Sequence, residues 1–266
     1  MSASTPAPLA FITGASSGIG QALAAHYQRA GWRVALVARR PAELAAWATQ
    51  QGWPADRWRA YGADVTRPDS IAAAVRACLG ELGLPDVVIA SAGISIGMDS
   101  AEFDDLDVMT RTFATNNVGL AATFQPFVRA MRARGSGRLV GVASVAGVRG
   151  LPGHGAYCAS KAGVIRYCES LRAELHGSGV RVVTLLPGFI DTPMTRHNPY
   201  PMPFLMPADA FARRAAAAIA AGARQRVIPW PMGIVAWLLP RLPGAWLDGL
   251  LARRPRKPRQ GADAAK

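Results

Sequence analysis

The sequence predicts a doubly wound α/β fold, with a parallel seven-stranded sheet in a single domain and a C-terminal tail that is first apolar and then basic. Three observations carry this. Short apolar runs of strand length alternate with longer Ala- and Leu-rich segments of helical character. The runs are largely apolar throughout, as expected of parallel strands covered on both faces. The first run leads directly into a cluster of glycines. Alternation of this kind winds into a parallel sheet with right-handed crossovers.

In chain order, a strand at Leu9–Thr13 precedes a helix at Ile19–Ala30, and a strand at Arg33–Ala38 precedes a helix at Ala42–Gln51. The third and fourth strands are read at Arg57–Gly62 and Asp86–Ala90, separated by a helix at Asp69–Leu82. A long helical segment, Leu106–Ala133, leads to a strand at Gly137–Ala143. A helix at Tyr157–His176, a strand at Val180–Leu186, a helix at Ala208–Ala221 and a strand at Arg226–Ile228 complete the pattern. Residues 1–226 are assigned to the domain and 227–266 to the extension. No internal repeat or linker interrupts the first part.

The first strand ends in Thr13-Gly14-Ala15-Ser16-Ser17-Gly18-Ile19-Gly20 and a helix follows at once. Glycines let the chain turn tightly and let backbone N–H groups approach a pyrophosphate, which the helix N-terminus also favours. Within a first βαβ unit this turn predicts a Rossmann-type dinucleotide site. An NAD site would place an acidic side chain about twenty residues on. The second strand instead ends in Arg39-Arg40, and a guanidinium binds a 2′-phosphate where a carboxylate would repel it. NADP is therefore expected over NAD. Asp64, after the third strand, either meets the adenine edge or is a surface residue of the turn Asp64-Val65-Thr66.

Tyr157 and Lys161 stand at i and i+4, on one face of a helix. A free tyrosine has a pKa of about 10, too high for efficient proton exchange near neutrality. A cation about 5 Å away contributes roughly 3 kcal/mol at an effective dielectric of 20, or about two pKa units. Lys161 is therefore expected to lower the tyrosine pKa. Ser144 lies at the end of a predicted strand, where open α/β sheets place their ligand crevice. It is either a holder of a substrate oxygen or a turn residue. Asn116 is a poor helix former inside a long helical segment, which points either to a polar role such as holding a water or to a capping or packing role.

Together, TGASSGIG, NNVG, ASVAG and YCASK, followed by Pro187-Gly188-Phe189-Ile190-Asp191-Thr192, resemble the short-chain dehydrogenase/reductase family over about residues 8 to 230. The resemblance implies that Tyr157 donates a proton to a carbonyl oxygen, that Lys161 binds the nicotinamide ribose, that Ser144 orients the carbonyl and that Asn116 holds a relay water. It implies that Gly14, Ser16, Ser17, Gly18, Ile19 and Gly20 surround the cofactor phosphates, and that Pro187, Gly188, Ile190 and Thr192 line its nicotinamide end. Arg39, Arg40, Asp64, Val65, Ala92 and Gly93 complete the expected cofactor contacts. Ser91 stands where the family usually has an asparagine. The helix carrying YCASKAG and the tail are similar to those of NADP-dependent lipid- and steroid-type ketone reductases. A rival reading is a dinucleotide-sensing protein without turnover, since one fold hosts many functions.

The formal net charge is +13, and only three of the 30 basic residues are lysines. Such a charge fits nucleic acid, anionic lipid or an anionic cofactor. No nucleic-acid reader motif accompanies it. Three cysteines without paired spacing point to a reduced, cytoplasmic protein, and four scattered histidines give no metal pattern. The stretch Thr195–Met206 carries three prolines, two methionines and two aromatics, and is expected to wall an apolar pocket for a lipophilic ketone or aldehyde. The tail joins a Trp-, Leu- and Pro-rich run to Arg253-Arg254-Pro255-Arg256-Lys257-Pro258-Arg259. Pro240 and Pro243 break the run before it reaches the roughly 20 residues of a membrane span. Peripheral contact with an anionic bilayer and a packed tail with a solvated basic end both remain open. A homodimer or homotetramer built on the long helices is the expected assembly.

Overall fold

Seven parallel strands share one sheet in the computed structural model, which describes residues 6–196, 198–253 and 255–259. His197 of the expected pocket wall, Arg254 of the basic run and residues 260–266 of the extension lie outside the described residues. The strands are β1 (Leu9–Thr13), β2 (Arg33–Ala38), β3 (Trp58–Gly62), β4 (Val87–Ala90), β5 (Gly137–Val142), β6 (Val180–Pro187) and, last in the sheet, β9 (Gln225–Ile228). Their order is β3-β2-β1-β4-β5-β6-β9. β1 pairs with β2 on one side and β4 on the other, so the winding reverses beside it. Open α/β sheets form their ligand crevice at the carboxyl ends of the strands next to such a reversal. Two residues each of β7 (Ile190–Asp191) and β8 (Met206–Pro207) form a separate pair too short to signal itself in the sequence.

Helices α1 (Gly18–Arg29), α2 (Pro41–Gln50) and α7 (Ala208–Ala220) belong to one layer, and α3 (Pro68–Glu81), α5 (Gly119–Arg134) and α6 (Gly155–Glu174) to the other. Pro41 and Pro68 open their helices in the first turn, where the missing N–H costs nothing. All five residues of β1 are buried because both faces are covered. Their side chains divide between the layers: Phe11 meets Phe127 edge-on at 4.9 Å, while Ile12 packs with Leu23, Leu36 and Phe211. Truncating a buried phenylalanine of this kind costs about 3–5 kcal/mol, so Phe11→Ala threatens the whole sheet.

The helical segment expected at Leu106–Ala133 is divided. α4 (Asp105–Phe113) runs into a π-helical turn at Ala114–Val118, from which α5 continues. The extra residue per turn rotates Asn116 and Asn117 inward. Asn117 Nδ2 donates to the Ser160 carbonyl at 2.9 Å, and Gly119 lets Val65 approach so closely that a Cβ there would lie 2.9 Å from its side chain. Such π turns recur at functional sites.

β9 runs to Ile228, past the expected boundary at residue 227. Beyond it come α8 (Trp230–Leu238), a short 3₁₀ turn and α9 (Gly244–Ala252). No helix among the described residues is long and apolar enough to cross a membrane. The basic run is not a solvated end: Arg256, Lys257 and Arg259 turn back onto the loop after β4, because Asp99, Glu102 and Asp105 present carboxylates there.

Candidate active site

At the carboxyl ends of the strands lies one cleft of about 1010 Å³. The β1–α1 turn forms its floor. Gly14 and Gly18 have φ of +68° and +54°, a region that L side chains resist. A Cβ on Gly14 would lie 2.7 Å from the Ala92 backbone, and one on Gly20 would lie 2.2 Å from the Gly14 carbonyl oxygen. Only glycine allows the turn to sit this close to β4. No side chain caps α1 at Ser17, so its first N–H groups face the cleft as donors. This cradle suits a pyrophosphate.

Every expected cofactor residue except Arg40 lines the cleft. Arg39 does so at the end of β2, whereas Arg40 is exposed and pairs with Glu43 at 3.0 Å. Both residues lie beyond the last residue of β2, and Arg40 is already the N-cap of α2, away from the residues that line the cleft. Asp64 lines the cleft and also closes its turn, accepting from the Thr66 N–H at 2.9 Å and the Thr66 hydroxyl at 2.8 Å. Those bonds, with Arg39 and Arg67 nearby, hold its carboxyl below the usual range. Ser91 also lines the cleft.

Ser144, Tyr157 and Lys161 converge on the same cleft. Ser144 follows β5 by two residues and accepts from the Ala146 N–H at 3.1 Å, and its hydroxyl acts on Tyr157 to lower the phenol pKa. Lys161 is buried, and its Nζ donates to the Val142 carbonyl at 2.9 Å and lies 5.8 Å from the Tyr157 ring centroid. Burial pushes the Tyr157 phenol up to about 12, against the lowering effect of Ser144. Lys161 itself is pulled down to about 8 by burial. Desolvation by burial dominates both groups.

Asn116 is buried and does not line the cleft. Its Oδ1 accepts from the Ile94 N–H at 2.9 Å, and its Nδ2 donates to the Ile94 carbonyl at 3.0 Å and to Ser160 Oγ at 2.9 Å. Ser160 in turn donates to the Tyr157 carbonyl at 2.8 Å. Asn116 therefore clamps the loop after β4 to the helix that carries Tyr157. One lone pair of Oδ1 remains for a water.

The expected pocket wall at Thr195–Met206 is mostly elsewhere. Among its described residues only Thr195 reaches the cleft; Tyr200 bonds His154 at 3.1 Å, and Phe204 and Leu205 are exposed. The apolar wall is made by Ile94, Ile96, Pro193, Met194 and Pro258 instead. Lys257 and Ser95 also face the cleft and were not anticipated, since no short-range pattern links a C-terminal lysine to a loop 162 residues away.

Residues 8–201 match the family model described as short chain dehydrogenase. The chain is 37% identical over 244 residues, 92% of its length and 96% of the relative's, to an uncharacterized oxidoreductase of Myxococcus xanthus. A short-chain dehydrogenase from Streptomyces avermitilis superimposes with a TM-score of 0.76 at 22% identity, covering 93% of this chain and 95% of that one. A 3-ketoacyl-(acyl-carrier-protein) reductase from Brucella melitensis, complexed with NADH, gives 0.75 at 28% identity over 83% and 96%. The glycine cradle, the converging Ser144, Tyr157 and Lys161, and these matches lead to one conclusion: the chain belongs to the short-chain dehydrogenase family, oxidoreductases that act on alcohol or carbonyl groups with a nicotinamide dinucleotide.

Proposed function

We propose that this protein is an NADPH-dependent reductase of lipophilic ketones or aldehydes, with Tyr157 as the proton donor. The observation that carries the reading is the convergence of Ser144, Tyr157 and Lys161 on a cleft whose other end holds the glycine turn and Arg39. NADPH, when bound, supplies the hydride that reaches the carbonyl carbon. Ser144 orients the carbonyl oxygen through its hydroxyl. Tyr157, protonated at neutral pH, gives its proton to the same oxygen. Lys161 holds the nicotinamide ribose and steadies the charge that the tyrosine acquires. Asn116 keeps the start of α6 in place and offers its free lone pair to a relay water. The apolar side chains of Ile94, Ile96 and Met194 favour a lipophilic substrate.

The preference for NADPH rests on Arg39 and on the lack of a carboxylate at the end of β2, and is supported in this chain against the example of the NADH-bound Brucella enzyme. Exposed Phe113 and Val118, together with Tyr167 on α6, favour a homodimer or homotetramer built on these helices. The free, buried Cys78, Cys158 and Cys168 suit a reducing cytoplasm. Exposed Trp230, Trp237 and Trp246, with Arg241 stacked on Trp237 at 4.3 Å, favour peripheral contact with an anionic bilayer. Liposome flotation unaffected by Trp237→Glu and Trp246→Glu together would rule that contact out.

The test is NADPH oxidation with a panel of apolar ketones and aldehydes. Tyr157→Phe lowers kcat by about 10²- to 10⁴-fold while leaving NADPH affinity unchanged. Tight NADPH binding by the wild type without turnover of any carbonyl would instead favour the sensor reading.

A further inference from the structure

The segment after α9 returns to the mouth of the cleft and docks there. Arg259 donates to both oxygens of Asp105, at 2.8 and 3.2 Å, and lies 3.6 Å from Glu102. Arg256 lies 3.6 Å from Asp99, and a parallel β-bridge joins Gly97 to Arg259. Gly97 makes the approach possible, because a Cβ there would stand 2.1 Å from the Pro258 carbonyl oxygen. Docking brings Pro258 and Lys257 into the wall of the cleft.

Lys257 differs from the arginines beside it. Its ammonium donates to the Ser95 hydroxyl at 3.1 Å, and among the described residues no carboxylate lies within ion-pair distance of it. Burial draws its pKa down. It shares the wall of the cleft with Tyr157. Ser95 follows Gly93, where a Cβ would lie 3.4 Å from Lys161 Nζ; His154, three residues before Tyr157, has its pKa lowered by burial and also by the charge of Lys257. The other cations on the wall are otherwise engaged or stand elsewhere: Arg111 pairs with Asp107 at 2.7 Å, Lys161 donates to the Val142 carbonyl at 2.9 Å, and Arg39 follows β2.

A partly desolvated cation with one neutral partner is unfavourable until an anion joins it. We infer that Lys257, carried into the cleft by the docked C-terminal segment, is a substrate-binding residue that receives a carboxylate, so that the preferred substrate is an oxo acid with an apolar body. One ammonium and the Ser95 hydroxyl match the two oxygens and single charge of a carboxylate. A phosphate dianion would call for more donors than this corner provides. The acidic patch on the loop holds the flanking guanidiniums and leaves the lysine free to face the ligand.

This inference rests on the reductase reading above, and the experiment separates the two. NADPH-dependent turnover of 2-oxooctanoate and 4-oxooctanoate is compared with that of their methyl esters, in wild type, Lys257→Met and Lys257→Arg. Wild type prefers an acid to its ester. Lys257→Met lowers kcat/KM for the acid by about 10- to 100-fold, chiefly through KM, and leaves the ester within about twofold. Lys257→Arg keeps the preference, and NADPH affinity is the same in all three. Turnover of ketones with no preference for the acid, or equal losses on acid and ester in Lys257→Met, would overturn the assignment of Lys257 alone. NADPH binding with no turnover of any carbonyl would overturn the reductase reading and this inference with it.

Discussion

Replacing Arg39 with alanine should weaken NADPH binding while leaving NADH binding nearly unchanged. Arg39 lies at the end of β2 on the wall of the cleft, close enough to Asp64 to lower its carboxyl pKa. A unit charge at 4 Å contributes about 4 kcal/mol at an effective dielectric of 20. Arg39 is exposed, and Asp64 opposes part of its field, so the lower range for a hydrogen bond to a charged group, about 1.5–3 kcal/mol, is the appropriate figure. That corresponds to a roughly 10- to 100-fold rise in the NADPH Kd. Arg40→Ala serves as the internal control, since its guanidinium is held by Glu43 outside the cleft. It should change the NADPH Kd by less than about twofold, within the effect of an exposed ion pair. Fluorescence titration of both cofactors into wild type and the two variants measures this directly. An equal loss of NADH affinity in Arg39→Ala, or a loss of NADPH affinity confined to Arg40→Ala, would refute the reasoning.

Three further outcomes follow from the same geometry. Lys161 is buried with a pKa near 8, against an ordinary value of about 10.5. A buried base with a depressed pKa weakens the folded state fully below about pH 8, by at most about 3 kcal/mol. The penalty fades as pH rises from about 8 to 10.5, so wild-type stability measured by urea unfolding should climb relative to Lys161→Met across that window; a flat difference would count against the buried ammonium. Arg259→Ala removes the bidentate contact with Asp105 and should expose the bond after Arg256 to limited trypsin digestion, read by mass spectrometry, while the sheet domain stays intact. Gly20→Val places a Cβ about 2.2 Å from the Gly14 carbonyl oxygen, so cofactor affinity should fall by more than about tenfold even if circular dichroism keeps the fold signature.

The chemistry available at the site follows from desolvation more than from pairing. Tyr157 and Lys161 are both taken from water, and the neutral form of each is favoured. A phenol held protonated carries the proton that reduction needs, while its raised pKa slows the transfer unless nearby positive charge opposes the effect of burial. An ammonium near pKa 8 remains mostly charged at neutral pH, available to a ribose hydroxyl and to the phenolate formed by the donation.

What the sequence determined by itself was local and periodic. The limits of β1 and β2 were readable because an apolar run between turn residues needs no distant partner to identify it. The β1–α1 turn announced itself through glycines whose φ values few other residues can adopt. Tyr157 and Lys161 declared a shared helix face through a spacing of four. The tertiary structure decided what depends on neighbours remote in the chain. It turned Arg40 toward Glu43, wound Asn116 into a π turn, and left most of the Thr195–Met206 stretch outside the cleft. It raised the Tyr157 pKa where a lysine one turn away suggested lowering it, because burial sums over every surrounding group and spacing records only one. It also joined Arg259 to Asp105 across 154 residues. A charge run in sequence has no address; the carboxylates that receive it are brought within reach only when the chain folds.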